Sequence, residues 1–372
     1  MVETLRLPRL KSVQASNRYR YANRPRAAPI QPRETNVRFV IYGAGGVGGT
    51  IGGQLHRAGH EVMLIARGAH LAAIRQDGLN LRTPAGDFRL AIPAVGDPNE
   101  VDWRPGDVVL LTMKTQDTQS ALHDLELAAG TQIPVVCAQN GIENERIASR
   151  RFDNVYAMLI ALPATFVDPG EVIASAAPYS GALHSGRYPA GTDEVIDSVC
   201  AALSNSNFLA EADPAVMRLK HRKLLMNLSN GLEIVTGQNA WGATGGLGEF
   251  VDALRKEAIT CFVAAGMDYA PLDEYTARVN SHYKAQPVGG LARTGSSTLQ
   301  SVLRGHTTVE VDYLNGEIEL LGVLHGLPTP YNSAVRKMAV EMAARGMRPG
   351  SRTLDDVRRL AQMNAATPPR SL

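Results

Sequence analysis

Val37-Arg38-Phe39-Val40-Ile41-Tyr42-Gly43-Ala44-Gly45-Gly46-Val47-Gly48 is the stretch that decides the fold. Its first six residues predict a buried strand, and the pattern from Val47 to Ala58 predicts a helix. Between them the chain matches GxGxxG in the strand–turn–helix context that gives this motif its meaning. The first glycine permits a tight turn, the second lets a pyrophosphate approach the backbone, and the third lets the helix pack closely. The stretch therefore predicts a dinucleotide site formed by Gly43, Ala44, Gly45, Gly46, Val47 and Gly48, with phosphate on the amides of the helix N-terminus.

The residue that follows the next predicted strand, Glu61 to Ala66, distinguishes between the two nicotinamide cofactors. An NAD site usually places Asp or Glu about 20 residues after the glycines, where the acid binds the ribose hydroxyls. This chain has Arg67 in that place, and its first acid after Arg67 is Asp77. A guanidinium group suits the 2′-phosphate of NADP, whereas the alternative is an exposed surface arginine. We therefore predict NADP (NADPH) as the cofactor.

Beyond this stretch, the chain divides into two parts that differ in the periodicity of their apolar residues. Up to about residue 210, strands alternate with helices, which indicates a parallel sheet built from βαβ units. After Asp213-Pro214, which predicts the start of a long helix, strand signals nearly vanish. We predict an α/β fold in which a Rossmann dinucleotide-binding domain (37–210) precedes an all-α domain (211–350) and an irregular tail (351–372). Further strands are predicted at 107–113, 133–138 and 155–162, and further helices at about 247–266, 308–325 and 331–345.

Charge is unevenly distributed along the chain. The 372 residues carry a formal net charge of +2, with 44% hydrophobic and 20% charged residues, a composition typical of globular proteins. Eight basic and two acidic side chains give residues 1–36 a charge of +6, which leaves −4 for residues 37–372. A mildly acidic body argues against a large nucleic-acid-binding face. We interpret residues 1–36 as a basic, disordered leader, with a transit peptide as the alternative. Since it holds none of the motifs, its removal should leave turnover intact.

Several other functional classes lack their sequence signals. Cys137, Cys200 and Cys261 are more than 60 residues apart, which favours neither a disulfide framework nor a zinc site and fits a reducing cytoplasm. The chain has no HExxH or GxSxG motif, so metal-dependent or serine hydrolysis lacks support. Pro163 interrupts the longest apolar run, which is far shorter than the roughly 20 residues that span a bilayer. We expect a cytoplasmic protein without metal, membrane or nucleic-acid partners, and we allow for a homodimer.

A second chemical signal lies in the predicted helix after Asp213-Pro214. The stretch His221-Arg222-Lys223-Leu224-Leu225-Met226-Asn227-Leu228-Ser229-Asn230-Gly231 contains one of only seven lysines in the chain. At about 100° per residue, Lys223, Asn227 and Asn230 fall within about 60° of one another, with leucines on the other side. Such a polar stripe on an apolar helix either is a solvated face or faces a cleft, where Lys223 can donate a proton.

Further stretches complete a pattern in a fixed order. They are Thr112-Met113-Lys114 and Asn140-Gly141, each after a predicted strand, then Ser296-Ser297 and Val309-Glu310. Together with the glycine loop and Lys223-Leu224-x-x-Asn227, they closely resemble the ketopantoate reductase family, the NADPH-dependent 2-dehydropantoate 2-reductases. The resemblance extends from about residue 37 to about 345. It implies a 6-phosphogluconate-dehydrogenase-like arrangement of the two domains and the reduction of 2-dehydropantoate to pantoate, a step of pantothenate biosynthesis.

The resemblance also implies roles for residues at matching positions. Lys223 matches the catalytic lysine, which protonates the ketone oxygen as hydride arrives from the nicotinamide. Glu310 matches the acid that holds this lysine and the nicotinamide end of the cofactor in place. Lys114 matches a cofactor-binding lysine, and Asn140 matches the asparagine that contacts both cofactor and substrate. A fixed ammonium group both stabilises and protonates the oxyanion that hydride addition builds, so these roles are chemically consistent.

Two departures from the family pattern concern the substrate. Ser297 matches the serine that binds the substrate carboxylate, and Asn227 matches a substrate-binding asparagine. Where the family has a second asparagine eight residues after the lysine, this chain has Gly231, and Asn230 is the candidate replacement. One extra residue also separates Ser297 from Glu310. A different 2-oxo acid is therefore an alternative substrate. A non-catalytic NADP-binding redox sensor is an alternative function, since a sensor needs the glycine loop but not the lysine.

Overall fold

A computed structural model describes residues 37–290, 295–305 and 307–366. The predicted leader, residues 1–36, and the last six residues of the predicted tail lie outside the described residues. In the described part of the chain, no helix is both long and apolar enough to cross a membrane.

The first part of the chain alternates strands and helices, as its periodicity predicts. Each predicted strand of the Rossmann part forms, although most end a few residues earlier than predicted. In chain order the elements are β1 (Arg38–Tyr42), α1 (Gly46–Arg57), β2 (Glu61–Ile65), α2 (Gly68–Asp77), β3 (Leu79–Thr83), β4 (Gly86–Leu90), β5 (Ala94–Val95), β6 (Asp107–Leu111), α3 (Thr118–Ala129), β7 (Val135–Cys137), α4 (Glu143–Ala148), β8 (Val155–Met158), β9 (Ala164–Phe166), β10 (Glu171–Ala174), β11 (Ala176–Pro178), β12 (Ser185–Arg187) and α5 (Glu194–Asn205).

Seven of these strands form one sheet in the order β12-β8-β7-β6-β1-β2-β5, in which only β12 is antiparallel to its neighbour. β1 lies at the centre, with Phe39 opposite both Val62 and Val108. The chain crosses over between β2 and β6, so the strand order reverses at β1. In such sheets a ligand binds beyond the carboxyl ends of the strands at this reversal point. The glycine stretch, which follows β1 directly, lies there.

A second sheet, which the sequence analysis did not predict, covers the outer side of α1. It has the order β4-β3-β10-β9. Three glycines of α1 allow its close approach: a Cβ atom on Gly46, Gly49 or Gly53 would lie 2.9–3.0 Å from the nearest atom of this sheet. Its strands are short and carry many half-exposed residues, so their sequence lacks the continuous apolar character of the central strands. The sheet places β9 over the glycine loop.

The second part of the chain is almost entirely helical, as predicted. Its core is formed by the apolar sides of the helices, with Leu224, Leu225 and Leu228 fully buried. The elements are α6 (Val216–Asn227), α7 (Asn230–Thr236), α8 (Gly245–Ala264), α9 (Leu272–Arg278), β13 (Tyr283–Ala285), α10 (Ser297–Leu303), a 3-10 turn (Glu310–Tyr313), α11 (Asn315–His325), α12 (Pro330–Ala344) and α13 (Leu354–Ala366). The predicted fold class, a Rossmann α/β part followed by a helical part, is confirmed.

Two local expectations differ from the structure. The long helix begins at Val216 and not at Asp213-Pro214, since the Asp213 carboxylate accepts a hydrogen bond from the Ala215 amide just before the helix. The predicted irregular tail contains α13, which buries Val357 and Ala361 against the helical core. A capping box begins this helix: Thr353 Oγ1 accepts from the Asp356 amide, and the Asp356 carboxylate accepts from the Thr353 amide.

Candidate active site

A cavity of about 400 Å³ opens between the Rossmann part and the helical part. It brings together most of the residues that the sequence singles out, although they come from distant places in the chain. Gly48, Lys223, Asn227 and Asn230 lie outside its lining. The predicted site residues that line it are Gly43, Ala44, Gly45, Gly46, Val47, Arg67, Lys114 and Asn140 from the Rossmann part, and Ser297 and Glu310 from the helical part.

The glycine loop is held tightly against the end of β6. Gly43 has φ of +106°, which strongly favours glycine, and a Cβ atom there would lie 2.8 Å from the Met113 amide nitrogen. A Cβ atom on Gly48 would lie 2.3 Å from Gly43 O and 2.4 Å from Thr112 Oγ1. The Thr112 hydroxyl lies 2.7 Å from Gly43 O. The first amides of α1 lack partners within the helix and border the cavity, so this cradle fits a dinucleotide pyrophosphate.

His70, which the sequence analysis missed, supports the same loop from α2. Its Nδ1 accepts a hydrogen bond from the Gly170 amide at 2.8 Å, so its Nε2 carries the proton and donates to Ala44 O at 2.7 Å. The ring also packs edge-on against Phe166. Nδ1 can accept a hydrogen bond only in the neutral imidazole, and burial lowers the pKa of His70 below its usual value. No local motif marks this histidine, because its partners are backbone groups distant in sequence.

We expect the protein to lose stability as the pH falls below about 6.5. Burial lowers the pKa of His60, His70, His184 and His221, so these side chains stay neutral in the folded protein at a pH where the unfolded chain binds protons. The unfolded state then holds more protons, and the free energy of unfolding decreases with decreasing pH. Denaturant titrations between pH 5 and 8 measure this. In His70→Gln the free energy of unfolding should depend less steeply on pH below 6.5, by up to about 1.4 kcal/mol per pH unit. An unchanged pH dependence would contradict the role of His70.

Arg67 lies at the carboxyl end of β2, as predicted, and lines the cavity. Its side chain is 76% exposed, and its Nη2 atom lies 3.4 Å from the Asp117 carboxylate, which is itself 44% exposed. An exposed pair at this distance contributes little stability. The guanidinium group therefore remains able to bind an anion at the edge of the cavity.

Lys114 and Glu310 connect the two parts of the chain across the cavity. Lys114 Nζ donates to Glu310 Oε2 at 2.8 Å, and Glu310 Oε1 lies 3.4 Å from the Thr115 amide. Glu310 is buried in the 3-10 turn before α11, whereas Lys114 is partly exposed. These two residues are 196 positions apart, and only the fold brings them together.

Asn140 follows β7 and lines the cavity, and its side chain contains an unsatisfied polar atom. Its backbone oxygen accepts from Asn144 Nδ2, while its side-chain Oδ1 is buried and has no hydrogen-bond partner within the described residues. The neighbouring Gln139 side chain donates to Met113 O and Thr118 Oγ1, which fixes the loop. A buried acceptor without a partner is costly, so Asn140 is suited to receive a ligand N–H group.

A buried lysine holds the helix of Lys223 against this loop. Lys220 Nζ donates to Gln139 O at 3.0 Å and to Met158 O at 3.2 Å, and it forms an ion pair with Glu145 Oε1 at 2.6 Å. Lys220 and Glu145 side chains are 2% and 0% exposed. Since residues three apart share a face of a helix, Lys223 lies on the side of α6 that Lys220 fixes to the Rossmann part. Lys223 itself is half-buried.

The predicted polar stripe is divided between two helices. α6 ends at Asn227 and α7 begins at Asn230, so Lys223, Asn227 and Asn230 do not share one continuous helix. Asn230 Nδ2 lies 3.5 Å from Thr298 Oγ1, the neighbour of Ser297 on α10. Asn230 therefore faces the helix that carries Ser297.

Glu233, a further residue that the sequence analysis missed, fixes the start of α10. Its Oε2 atom accepts from the Ser296 amide at 2.8 Å, and the Ser296 hydroxyl caps α10 by accepting from the Leu299 amide. Glu233 is buried, and it lies one turn after Asn230 on α7. α7 thus positions Ser297 at the cavity.

Gly231 explains one departure from the family pattern. A Cβ atom there would lie 2.7 Å from Val335 Cγ1 and 3.2 Å from Asn315 Oδ1, so the position points into the helical core and away from the cavity. We expect Gly231→Asn to lower the free energy of unfolding by about 1–3 kcal/mol through overpacking. Denaturant titration measures this. Adding Val335→Ala should relieve part of the penalty, and a fully stable Gly231→Asn protein would show that the space exists.

Comparison with known proteins agrees with this architecture. Two family models match the chain: Ketopantoate reductase PanE/ApbA over residues 39–189 and Ketopantoate reductase PanE/ApbA C terminal over residues 215–343. The protein named 2-dehydropantoate 2-reductase from Halobacterium salinarum is 26% identical over 301 residues, 79% of this chain and 95% of that protein. The protein of the same name from Pyrococcus horikoshii is 26% identical over 304 residues, 80% of this chain and 94% of that protein.

Solved structures show the same fold. The PanE/ApbA family ketopantoate reductase from Ralstonia eutropha JMP134 is 27% identical, with a TM-score of 0.70 over 83% of this chain and 99% of that chain. D-mandelate dehydrogenase, solved with NADH and anilino(oxo)acetate, is 22% identical, with a TM-score of 0.72 over 83% of this chain and 99% of that chain. This likeness is one of fold. The two family models together cover well over half of the sequence. The chain therefore belongs to the ketopantoate reductase family, a family of nicotinamide-dependent oxidoreductases that act on CH–OH groups.

Proposed function

We propose that this protein reduces a 2-oxo acid to the 2-hydroxy acid with NADPH, and that 2-dehydropantoate is its substrate. One observation carries the proposal: a single cavity joins the glycine loop of the Rossmann part to Ser297 and Glu310 of the helical part. The names of the two relatives described above support the choice of substrate. We also propose residues 37–210 as the cofactor-binding domain and 211–350 as the substrate domain. The sparse free cysteines lead us to propose a cytoplasmic location.

We propose a role at the cavity for each end of the cofactor. Gly43 to Gly48 would hold the pyrophosphate, and Lys114 with Asn140 would hold the nicotinamide half, where Asn140 Oδ1 can accept from the carboxamide. Glu310 orients Lys114 through their ion pair. When bound, the reduced cofactor supplies the hydride. The protein's part is to fix the reacting groups, to exclude water from the cleft, and to place donors where charge develops.

Lys223 is the proposed general acid. As the ketone oxygen gains negative charge, an ammonium group at that oxygen stabilises it and then transfers a proton to it. Ser297 would bind the substrate carboxylate, and Asn227 and Asn230 would bind the rest of the substrate. Asn230 would take the place of the family's second asparagine, because Gly231 has no room for a side chain. These assignments rest on the matching positions and on the fixed orientation of α6, α7 and α10.

Replacing Arg67 with alanine should weaken NADPH binding by about 10-fold, because charge-assisted hydrogen bonds to the 2′-phosphate contribute roughly 1.5–3 kcal/mol. The affinity for NADH, which lacks that phosphate, should stay within about twofold. Titration of the protein with each cofactor, followed by nicotinamide fluorescence, measures both. If the wild-type protein binds NADH as tightly as NADPH, or if Arg67→Ala weakens both equally, the NADP preference is wrong.

A further inference from the structure

The face of α10 that borders the cavity carries Ser297, Gln300 and Arg304. These positions are separated by three and four residues, so they follow one side of the helix up to the residue after its end. At a rise of 1.5 Å per residue, the Cα atom of Arg304 lies about 10 Å further along the helix axis than that of Ser297. In the proposed function, Ser297 binds the substrate carboxylate, whereas Arg304 has no assigned role.

Arg304 reaches towards the glycine loop of the other part. Its Nη1 atom lies 3.4 Å from Phe166 O, at the end of β9. The amide nitrogen of the same Phe166 lies 3.0 Å from the position that a Cβ atom on Gly46 would occupy. Phe166 is thus in contact with the glycine loop on one side and with Arg304 on the other. The guanidinium group is consequently close to the N-terminus of α1.

The charge of Arg304 is not neutralised within the described residues. None of the ion pairs found there includes Arg304, and its hydrogen-bond partner is a neutral carbonyl group at a long distance. Lys114, a cation of the Rossmann part that lines the same cavity, is already paired with the Glu310 carboxylate. An arginine has five N–H donors in a planar fork that matches phosphate oxygens, so most of its capacity is left for a ligand.

We propose that Arg304 binds the pyrophosphate of the dinucleotide from the helical side of the cavity, opposite the amides of α1. This inference rests on the proposed function, since it requires a dinucleotide in the cavity. It assigns the pyrophosphate a second set of donors, supplied by a different part of the chain from the glycine loop. Binding of the cofactor would then hold the helical part against the Rossmann part.

The competing ligand for Arg304 is the carboxylate of the substrate. The separation along α10 argues against it, because Ser297 lies at the end of the helix nearer Asn230, whereas Arg304 lies at the end nearer Phe166 and Gly46. A small 2-oxo acid held at Ser297 is too short to span about 10 Å. A dinucleotide held at the glycine loop, by contrast, would pass this end of α10.

Binding of cofactor fragments by calorimetry tests the proposal without turnover. The probes are NADP⁺, 2′-phospho-ADP-ribose, which keeps the pyrophosphate but lacks the nicotinamide, and adenosine 2′-monophosphate, which lacks the pyrophosphate. For Arg304→Ala we expect affinity for the first two to fall by about 10- to 100-fold, the range for a hydrogen bond to a charged group. Affinity for adenosine 2′-monophosphate should be unchanged, which also shows that the variant is folded. Arg304→Lys should recover part of the loss, and Arg345→Ala, an exposed arginine on the far end of α12, serves as control.

Each other outcome overturns the inference in a recognisable way. Unchanged NADP⁺ affinity in Arg304→Ala, combined with a raised KM for the 2-oxo acid, assigns Arg304 to the substrate. Equal losses for all three probes indicate a general effect on the pocket. If the wild-type protein binds none of the probes, both the inference and the proposed function fail, whereas binding that is insensitive to Arg304 leaves the proposed function intact.

Discussion

Replacing Lys223 with alanine should lower kcat by about 10²- to 10⁴-fold, the usual contribution of a positioned general acid. The affinity for NADPH should change by less than about threefold, because the residues proposed to hold the cofactor lie on other elements. Steady-state kinetics and cofactor titration on the same protein preparation separate the two effects. The reason for a loss confined to kcat is that the ammonium group interacts with charge that exists only in the transition state.

A matched lysine controls for nonspecific effects. Lys256 is exposed on α8, so Lys256→Ala should retain wild-type kcat. The general-acid role is wrong if Lys223→Ala keeps kcat within about threefold of the wild-type value. A variant that instead loses both kcat and cofactor affinity would place Lys223 in cofactor binding.

Lys220→Met should destabilise the protein by about 3–5 kcal/mol, because it leaves the Glu145 carboxylate buried without its counter-charge. Lys220 and Glu145 are almost fully buried, and the ammonium group also binds the carbonyl oxygens of Gln139 and Met158. The ion pair joins α6 to α4 of the Rossmann part, so its loss removes a contact between the two parts of the chain. Denaturant-induced unfolding measures the change.

The double variant Lys220→Met with Glu145→Gln distinguishes a buried-charge effect from simple loss of packing. It removes the uncompensated carboxylate, so it should recover a substantial part of the stability lost in the single variant. If the two changes are additive, the residues do not interact as the geometry indicates. If Lys220→Met is as stable as the wild type, the ion pair does not hold α6 in place.

Much of the fold could be predicted because its strongest signals are local. The four residues directly before Gly43, Phe39 to Tyr42, form an apolar run. The glycine spacing that follows has a direct steric cause in the contacts of Gly43 and Gly48. The helical part was predictable from its periodicity. The second sheet was not predictable, because β3, β4 and β9 are short and half-exposed. Its packing on α1 depends on Gly46, Gly49 and Gly53, which are not the fixed glycines of the GxGxxG motif.

The site residues could be predicted only at positions that match the pattern of the family that the sequence resembles. Lys114, Asn140, Ser297 and Glu310 meet at one cavity, as the family pattern implies. The supporting residues were missed for a physical reason: His70 and Lys220 bind backbone carbonyl groups, and any sequence can offer those. Glu233 likewise binds a backbone amide. Such contacts are set by the fold and leave no spacing pattern in the chain.

Oxidation of NADPH by the purified protein in the presence of 2-dehydropantoate tests the central claim most directly. The absorbance of NADPH should fall in proportion to the 2-oxo acid consumed, with kcat/KM in the ordinary enzymatic range of about 10⁴–10⁸ M⁻¹s⁻¹. Efficient turnover of another 2-oxo acid, but not of 2-dehydropantoate, would contradict the proposed substrate. Binding of NADPH without turnover of any 2-oxo acid in a panel would contradict the proposed reaction and favour a redox sensor.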